Sequence, residues 1–107
     1  MTEVTDTLDA ADEVGTWFSL NANQSATLEA VGSSFTGSLK LQVRFKDSDG
    51  NWRTPTDVTD NGTLVTYTSD VSEPFTMKGE AGQVRWYCAS RSAGSMATRI
   101  GATFPIR

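Results

Sequence analysis

The chain is 107 residues long, 37% hydrophobic and 21% charged, with three Trp, five Phe and two Tyr, which bounds it to one small globular domain with a thin core. It contains no histidine and one cysteine, so Ser-His-Asp and Cys-His catalysis, His-ligated zinc and an internal disulfide are all excluded. The net charge of −4 is unevenly placed. All five charges in residues 1–13 are acidic, and the remainder carries eight acids against nine bases.

Taken in chain order, residues 1–13 form an acidic N-terminal arm in which only Val4 and Leu8 are apolar anchors. Such a segment buries too little to offset its ordering entropy, which reads as a disordered leader. Two other readings stand beside it: an arm that orders on a neighbouring subunit, and a one-turn helix over residues 8–13. The start of the chain lacks the basic and apolar segments of a signal peptide, which gives an expectation of synthesis and retention in a cytoplasm.

From residue 14 to 107 the pattern is that of a single β domain. Residues 15–20 are a first strand, closed by Asn21-Ala22-Asn23-Gln24, and residues 26–31 a second, ended by Gly32-Ser33-Ser34. Residues 38–46 are the third and clearest, because Leu39 to Lys46 alternate apolar and polar without error, as a strand with one buried face does. The Asp47-Ser48-Asp49-Gly50-Asn51 cluster then supplies hairpin-turn chemistry, with Trp52-Arg53 pairing back on the third strand. Pro55 confines that pairing to an edge. Asp60-Asn61-Gly62 is a further turn before a strand over 63–68, and a short strand follows over 75–78. Residues 83–89 put Val84, Trp86 and Cys88 on one face and Arg85 and Tyr87 on the other. A loop over 90–95 and a last strand over 96–104 complete the chain, whose end at Phe104-Pro105-Ile106-Arg107 is expected to pack. Seven to eight short strands with turns every 8–12 residues predict an all-β, antiparallel two-sheet β-sandwich or jelly roll.

Three features bear on chemistry. Asp47-x-Asp49-x-Asn51 has the oxygen spacing of a calcium loop, but Trp52 and Val58 stand where an EF-hand needs Gly and an acid, so it reads as a hairpin turn and no metal or other cofactor is expected. Trp17 falls out of phase with Phe18 and Leu20, and Trp52 follows a polar turn, which marks both as exposed aromatics suited to an interface or a sugar platform. Trp86, in phase with Val84 and Cys88, reads as core. Arg85, Arg91 and Arg99 come together if the last two strands form a hairpin, and the acidic arm of a neighbouring copy is then a natural partner. No basic run suggests nucleic acid, and no segment has the ~20 apolar residues of a membrane-spanning helix.

Two segments resemble known proteins. Leu39-Lys40-Leu41-Gln42-Val43-Arg44-Phe45-Lys46-Asp47-Ser48-Asp49-Gly50-Asn51-Trp52 is similar to the strand, Asp-Gly turn and Trp hairpin of small tailed-phage virion proteins. Residues 82–95, Gly82-Gln83-Val84-Arg85-Trp86-Tyr87-Cys88 onward, resemble the later strand and Ser/Gly turn of the same domains, with 79–82 as their entry loop. The likeness covers residues 14–104 as a pattern of strands and turns. It implies a non-enzymatic β-sandwich of the virion. Within that group the capsid decoration (cement) proteins fit best: homo-oligomers, commonly trimers, that sit on the major capsid protein and bridge neighbouring capsomers. The alternatives are a head–tail joining or tail/fibre component, a carbohydrate-binding module, and, least favoured, a carboxylate-dependent hydrolase. The family's variability carries no residue across, so the expected partner-binding positions, Val4, Leu8, Trp17, Trp52, Arg91 and Arg99, rest on expected exposure alone.

Overall fold

A computed structural model describes residues 3–60, 62–77 and 79–102. Among them there is no helix, and the strands are β1 (Glu3–Leu8), β2 (Phe18–Leu20), β3 (Ser25–Arg44), β4 (Thr56–Asp57), β5 (Thr59–Asp60), β6 (Thr63–Leu64), β7 (Thr66–Tyr67), β8 (Val71–Thr76) and β9 (Gly82–Ala102). The all-β, antiparallel expectation holds. β3 and β9 pair along almost their whole length, and five other strands attach to this ribbon to make one seven-stranded sheet, while β5 and β6 form a separate small hairpin.

The ribbon cannot be straight. A 21-residue strand would extend roughly 70 Å, yet the longest dimension of the molecule is 40 Å. The Trp86 indole N–H also donates to the backbone carbonyl of Arg99, 13 residues along the same strand, at 3.4 Å. A straight strand would hold these residues roughly 40 Å apart. The fold-over lies where the β3–β9 register slips, between Ser33 and Leu39 on one strand and opposite Ser90–Ser95 on the other. On one side of it, β1 and β8 flank the ribbon; on the other, β2, β4 and β7 do so. Leu28, Met96, Ile100, Val4 and Leu8 from the first half meet Leu39, Leu41, Val84, Trp86 and Phe18 from the second in one buried cluster.

Several sequence expectations change here. The strands read as ending at Gly32 and restarting at Ser38 are one strand, and the loop expected over 90–95 lies inside β9. Both stretches are rich in Gly and Ser because they form the bend. A Cβ on Gly37 would lie 2.2 Å from the Ser90 carbonyl oxygen, and one on Gly94 would lie 2.3 Å from that of Ser34. Gly94 is also left-handed, at φ 73°. The separate hairpin expected of the last two strands is therefore absent, since Arg85, Arg91 and Arg99 all belong to β9. The strand expected over 63–68 is interrupted, Val65 donating to the carbonyl of Val58 instead. Lys78, Asn61 and the packing expected of residues 103–107 lie outside the described residues.

The acidic arm is the largest correction. Residues 3–8 are neither a disordered leader nor an arm on a neighbour: they form β1, paired in register with Met96–Gly101 of the same chain. Val4 and Leu8 are 7% and 1% exposed in the chain's own core. They are thus removed from any partner surface. Residues 9–13 make a turn rather than a helix, and 12–15 then run on beside β9, with Asp12 and Gly15 donating to the carbonyls of Cys88 and Trp86 at 2.8 Å each. The Asp6 carboxylate, half-buried between Val4 and Leu8, clamps the crossing by accepting from the Thr16 amide and hydroxyl at 2.8 and 3.0 Å.

The corner gives a direct test. Gly94→Ala combines a left-handed backbone with a backbone clash and is expected to destabilise the protein by about 2 kcal/mol or more, whereas Gly50→Ala, whose Cβ would meet nothing within 4 Å, carries only the left-handed penalty. Urea unfolding of the two variants, monitored by Trp fluorescence, should rank them in that order; equal losses would mean that the corner is not close-packed.

Candidate interaction surface

The outward positions of β3 and β9 beyond the bend form a polar face. Strand alternation that buries Leu39, Leu41, Val84, Trp86 and Cys88 turns Lys40, Gln42, Arg44, Gln83, Arg85 and Tyr87 outward. The register places Gln42 opposite Arg85 and Arg44 opposite Gln83. Arg85 donates from Nε and Nη2 to Gln42 Oε1 at 2.9 and 2.7 Å, Arg44 Nε donates to Gln83 Oε1 at 2.8 Å, and Gln83 continues the chain to the Ser19 hydroxyl at 2.9 Å.

Two tryptophans lie across this face. Trp17, just before β2, carries the Arg44 and Arg85 guanidiniums at 4.4 and 4.3 Å from its ring centroid. Trp52 carries Arg44 at 4.4 Å and the Lys46 ammonium at 5.1 Å. The result is a stack that runs Arg85, Trp17, Arg44, Trp52, Lys46. The local reason for its upper end is the turn at 47–51. Asp47 Oδ1 accepts the amides of Asp49 and Asn51 at 2.9 and 3.0 Å, Gly50 adopts φ 83°, and the chain returns so that Trp52 pairs with Lys46. The carboxylate that suggested calcium thus closes a turn. Each cation–π contact contributes about 0.5–1 kcal/mol at an exposed site. Burial and the neighbouring Arg44 charge both lower the Arg85 pKa from its usual value, in that order of size.

Of the residues expected at a partner surface, the structure brings Trp17 and Trp52 together through Arg44. Trp52 is 39% exposed. Arg91 lies exposed at the bend, its Nε donating to the Gly94 carbonyl at 2.9 Å. Arg99 is on the other half, between Glu3 and Glu29 at 2.6 Å each, and these two hydrogen bonds raise its pKa. For Arg99 the acid–arginine pairing expected between copies is made within one chain. Sequence reasoning missed Arg44 and Lys46, and grouped Arg85 with Arg91 and Arg99 rather than with Trp17. The alternation of 39–46 puts Arg44 and Lys46 on the outward face with Lys40, but only the strand order brings Trp17 to them.

A second feature is a cleft of ≈ 660 Å³ lined by apolar side chains that include Val43, Phe45, Val58 and Phe75. Tyr67 also lines it, packing edge-on against Trp86 at 5.3 Å between centroids and donating its hydroxyl to Glu73. Burial first, and then the Glu73 carboxylate, push the Tyr67 pKa well above its ordinary 10.0.

Comparison with protein-family profiles and with curated proteins found no match to this chain.

The Tyr67 shift fixes a pH dependence. The unfolded chain loses this phenolic proton near pH 10.0 while the folded chain keeps it, so the contribution of Tyr67 to folding stability is fully present below that pH and falls as pH rises above 10. Chemical unfolding between pH 8 and 11 should show that decline, and Tyr67→Phe should be less stable at pH 8 but decline less steeply above 10. An unchanged slope would mean that Tyr67 is not held protonated.

Proposed function

We propose that the protein is a non-enzymatic structural component of a tailed-phage virion, a decoration protein that binds the major capsid protein and stabilises the shell by bridging neighbouring capsomers. In this reading the folded-over sheet is a β-sandwich whose two halves are its layers. The protein is made in the host cytoplasm, assembles as a homo-oligomer with a trimer favoured, and resides on the capsid surface.

The observation that carries the reading is the stack of Trp17, Arg44 and Trp52. Trp and Arg are the side chains that protein–protein contacts use as anchors. Here they are pinned to one another on a rigid sheet, so little ordering remains to be done on binding. The titratable side chains of the face are engaged with glutamines and indoles rather than converging on a cleft, which favours binding over carboxylate catalysis. The same stack weakens the sugar-platform alternative. A sugar needs a bare aromatic face, and both rings already carry guanidinium groups at about stacking distance. A head–tail joint or a tail fibre would use the same chemistry at a different place.

Stabilisation would follow by mass action, since a ligand that binds only the assembled shell shifts the equilibrium toward it, and repetition over the lattice adds avidity. Mixing the purified protein with phage heads stripped of accessory proteins tests this. Saturable coating of heads, seen by co-sedimentation, together with a higher temperature of head rupture, is expected. Failure to bind heads, with binding to tails or to a glycan array instead, would replace decoration with one of the alternatives.

A further inference from the structure

The outer face of β3 and β9 carries opposite charge at its two ends. At the end away from the bend are Lys46, Arg44 and Arg85, held along Trp52 and Trp17. Arg44 and Arg85 are hydrogen-bonded to the neutral amides of Gln83 and Gln42, and among the described residues no carboxylate forms an ion pair with any of the three cations. The two guanidiniums feel one another, since Arg44 is among the causes that lower the Arg85 pKa, after burial.

At the bend end of the same face lies the turn that carries Asp9, Asp12 and Glu13. The Tyr87 hydroxyl donates to Asp12 Oδ1 at 2.5 Å, and Glu13 Oε1 accepts the Asp9 amide at 2.7 Å. These three acids also form no ion pair among the described residues. The Arg91 Nε at this end is engaged by the Gly94 carbonyl. Asp12 bonds the Tyr87 side chain, and Tyr87 stands two residues from Arg85 and four from Gln83, the partner of Arg44, so the poles lie roughly 7 to 13 Å of strand apart, and among the described residues no ion pair joins them within one chain.

We propose that the acidic turn Asp9–Glu13 of one copy docks on the Arg85–Arg44–Lys46 stack of the next, in a head-to-tail contact between copies of this chain. The proposal rests on the reading of the protein as an oligomeric coat component and names the contact that joins its copies. Three unpaired cations and three unpaired acids on one molecule supply both sides of the contact. The guanidinium planes are already held by the indoles, and the glutamines engage Nε of both and Nη2 of Arg85, which leaves the Nη1 side of each to take a carboxylate. A head-to-tail contact closes into a ring when its rotation allows, and a ring leaves no pole unpaired. The net charge of −4 disfavours a nucleic acid as the occupant.

The experiment is sedimentation velocity on the full chain, with melting curves to establish folding. The wild-type protein should associate at low salt and dissociate as ionic strength rises from about 0.05 to about 0.5 M. Lys46→Glu with Arg85→Glu, and separately Asp9→Lys with Glu13→Lys, should each weaken association by about tenfold or more. The chain carrying all four substitutions should recover it, an outcome that a merely structural role would not produce. A wild-type monomer at low salt, an oligomer indifferent to either pair, or folded four-fold variants that fail to recover association would each overturn the proposal. If a variant does not fold, the salt series on the wild type decides, and an oligomer unaffected by salt overturns it. Head binding measured in parallel separates the two readings. A charge-independent oligomer that coats heads overturns the contact alone, and a charge-dependent oligomer that ignores heads overturns the coat role alone.

Discussion

Everything in this molecule hangs on the place where the β3–β9 ribbon folds over. Two strands of 20 and 21 residues stay hydrogen-bonded through a reversal that an ideal pleat cannot make, and they manage it by slipping register within a short span. Gly37 and Gly94 let the two backbones approach to distances no side chain would permit. The fold-over is also what encloses the core. A single sheet has two faces, and a 107-residue chain has apolar side chains for only one of them; by folding, the sheet turns that face on itself and buries Trp86 against its own far half.

The same reversal organises the surface. Because inward positions are even-numbered on both arms of β9, the outward side chains of its two halves leave in opposite directions. Arg85 therefore belongs to the Trp17 stack, while Arg99 pairs with Glu3 and Glu29 on the far side of the molecule. The two outer faces have different characters. One is aromatic and cationic over part of its length; the other, around Thr5, Thr7, Ala97 and the exposed Val31, is built of small side chains with its charges paired.

How much of this was legible in the sequence varies by element. The unbroken alternation of Leu39–Lys46 and of Val84–Cys88 gave the buried and outward faces correctly, because each of those strands has one dry and one wet side. The turn at 47–51 was equally readable, since Asp47 and Gly50 do their work locally. The bend was not, because Gly and Ser serve turns and close-packed bulges alike, and only the partner strand distinguishes them. β1 was hidden by Asp6. An acid midway between Val4 and Leu8 breaks the apolar alternation, and its reason for being there, the amide and hydroxyl of Thr16, is ten residues away. Of the candidate site, Trp17 and Trp52 were found from phase and context, but Arg44 between them was not. Arg44 is an ordinary outward residue of β3 until β2 carries the Trp17 segment to the same sheet face.

The pairing of β1 with the far end of β9 has a consequence for how the protein is made. Glu3 to Leu8 leave the ribosome well before Met96 to Gly101, the segment they pair with in the sheet. Val4 and Leu8 must wait in solvent while the intervening chain is synthesised, and β3 likewise lacks its central neighbour until β9 appears. The order of translation therefore runs against the order of assembly, and sheet closure is a late event that depends on contacts between distant segments, which are slow to form. A nascent chain in this position is exposed to pairing with other nascent chains. The five acids among residues 3–13 place like charges on and beside that early strand, the kind of patterning that opposes edge-to-edge pairing.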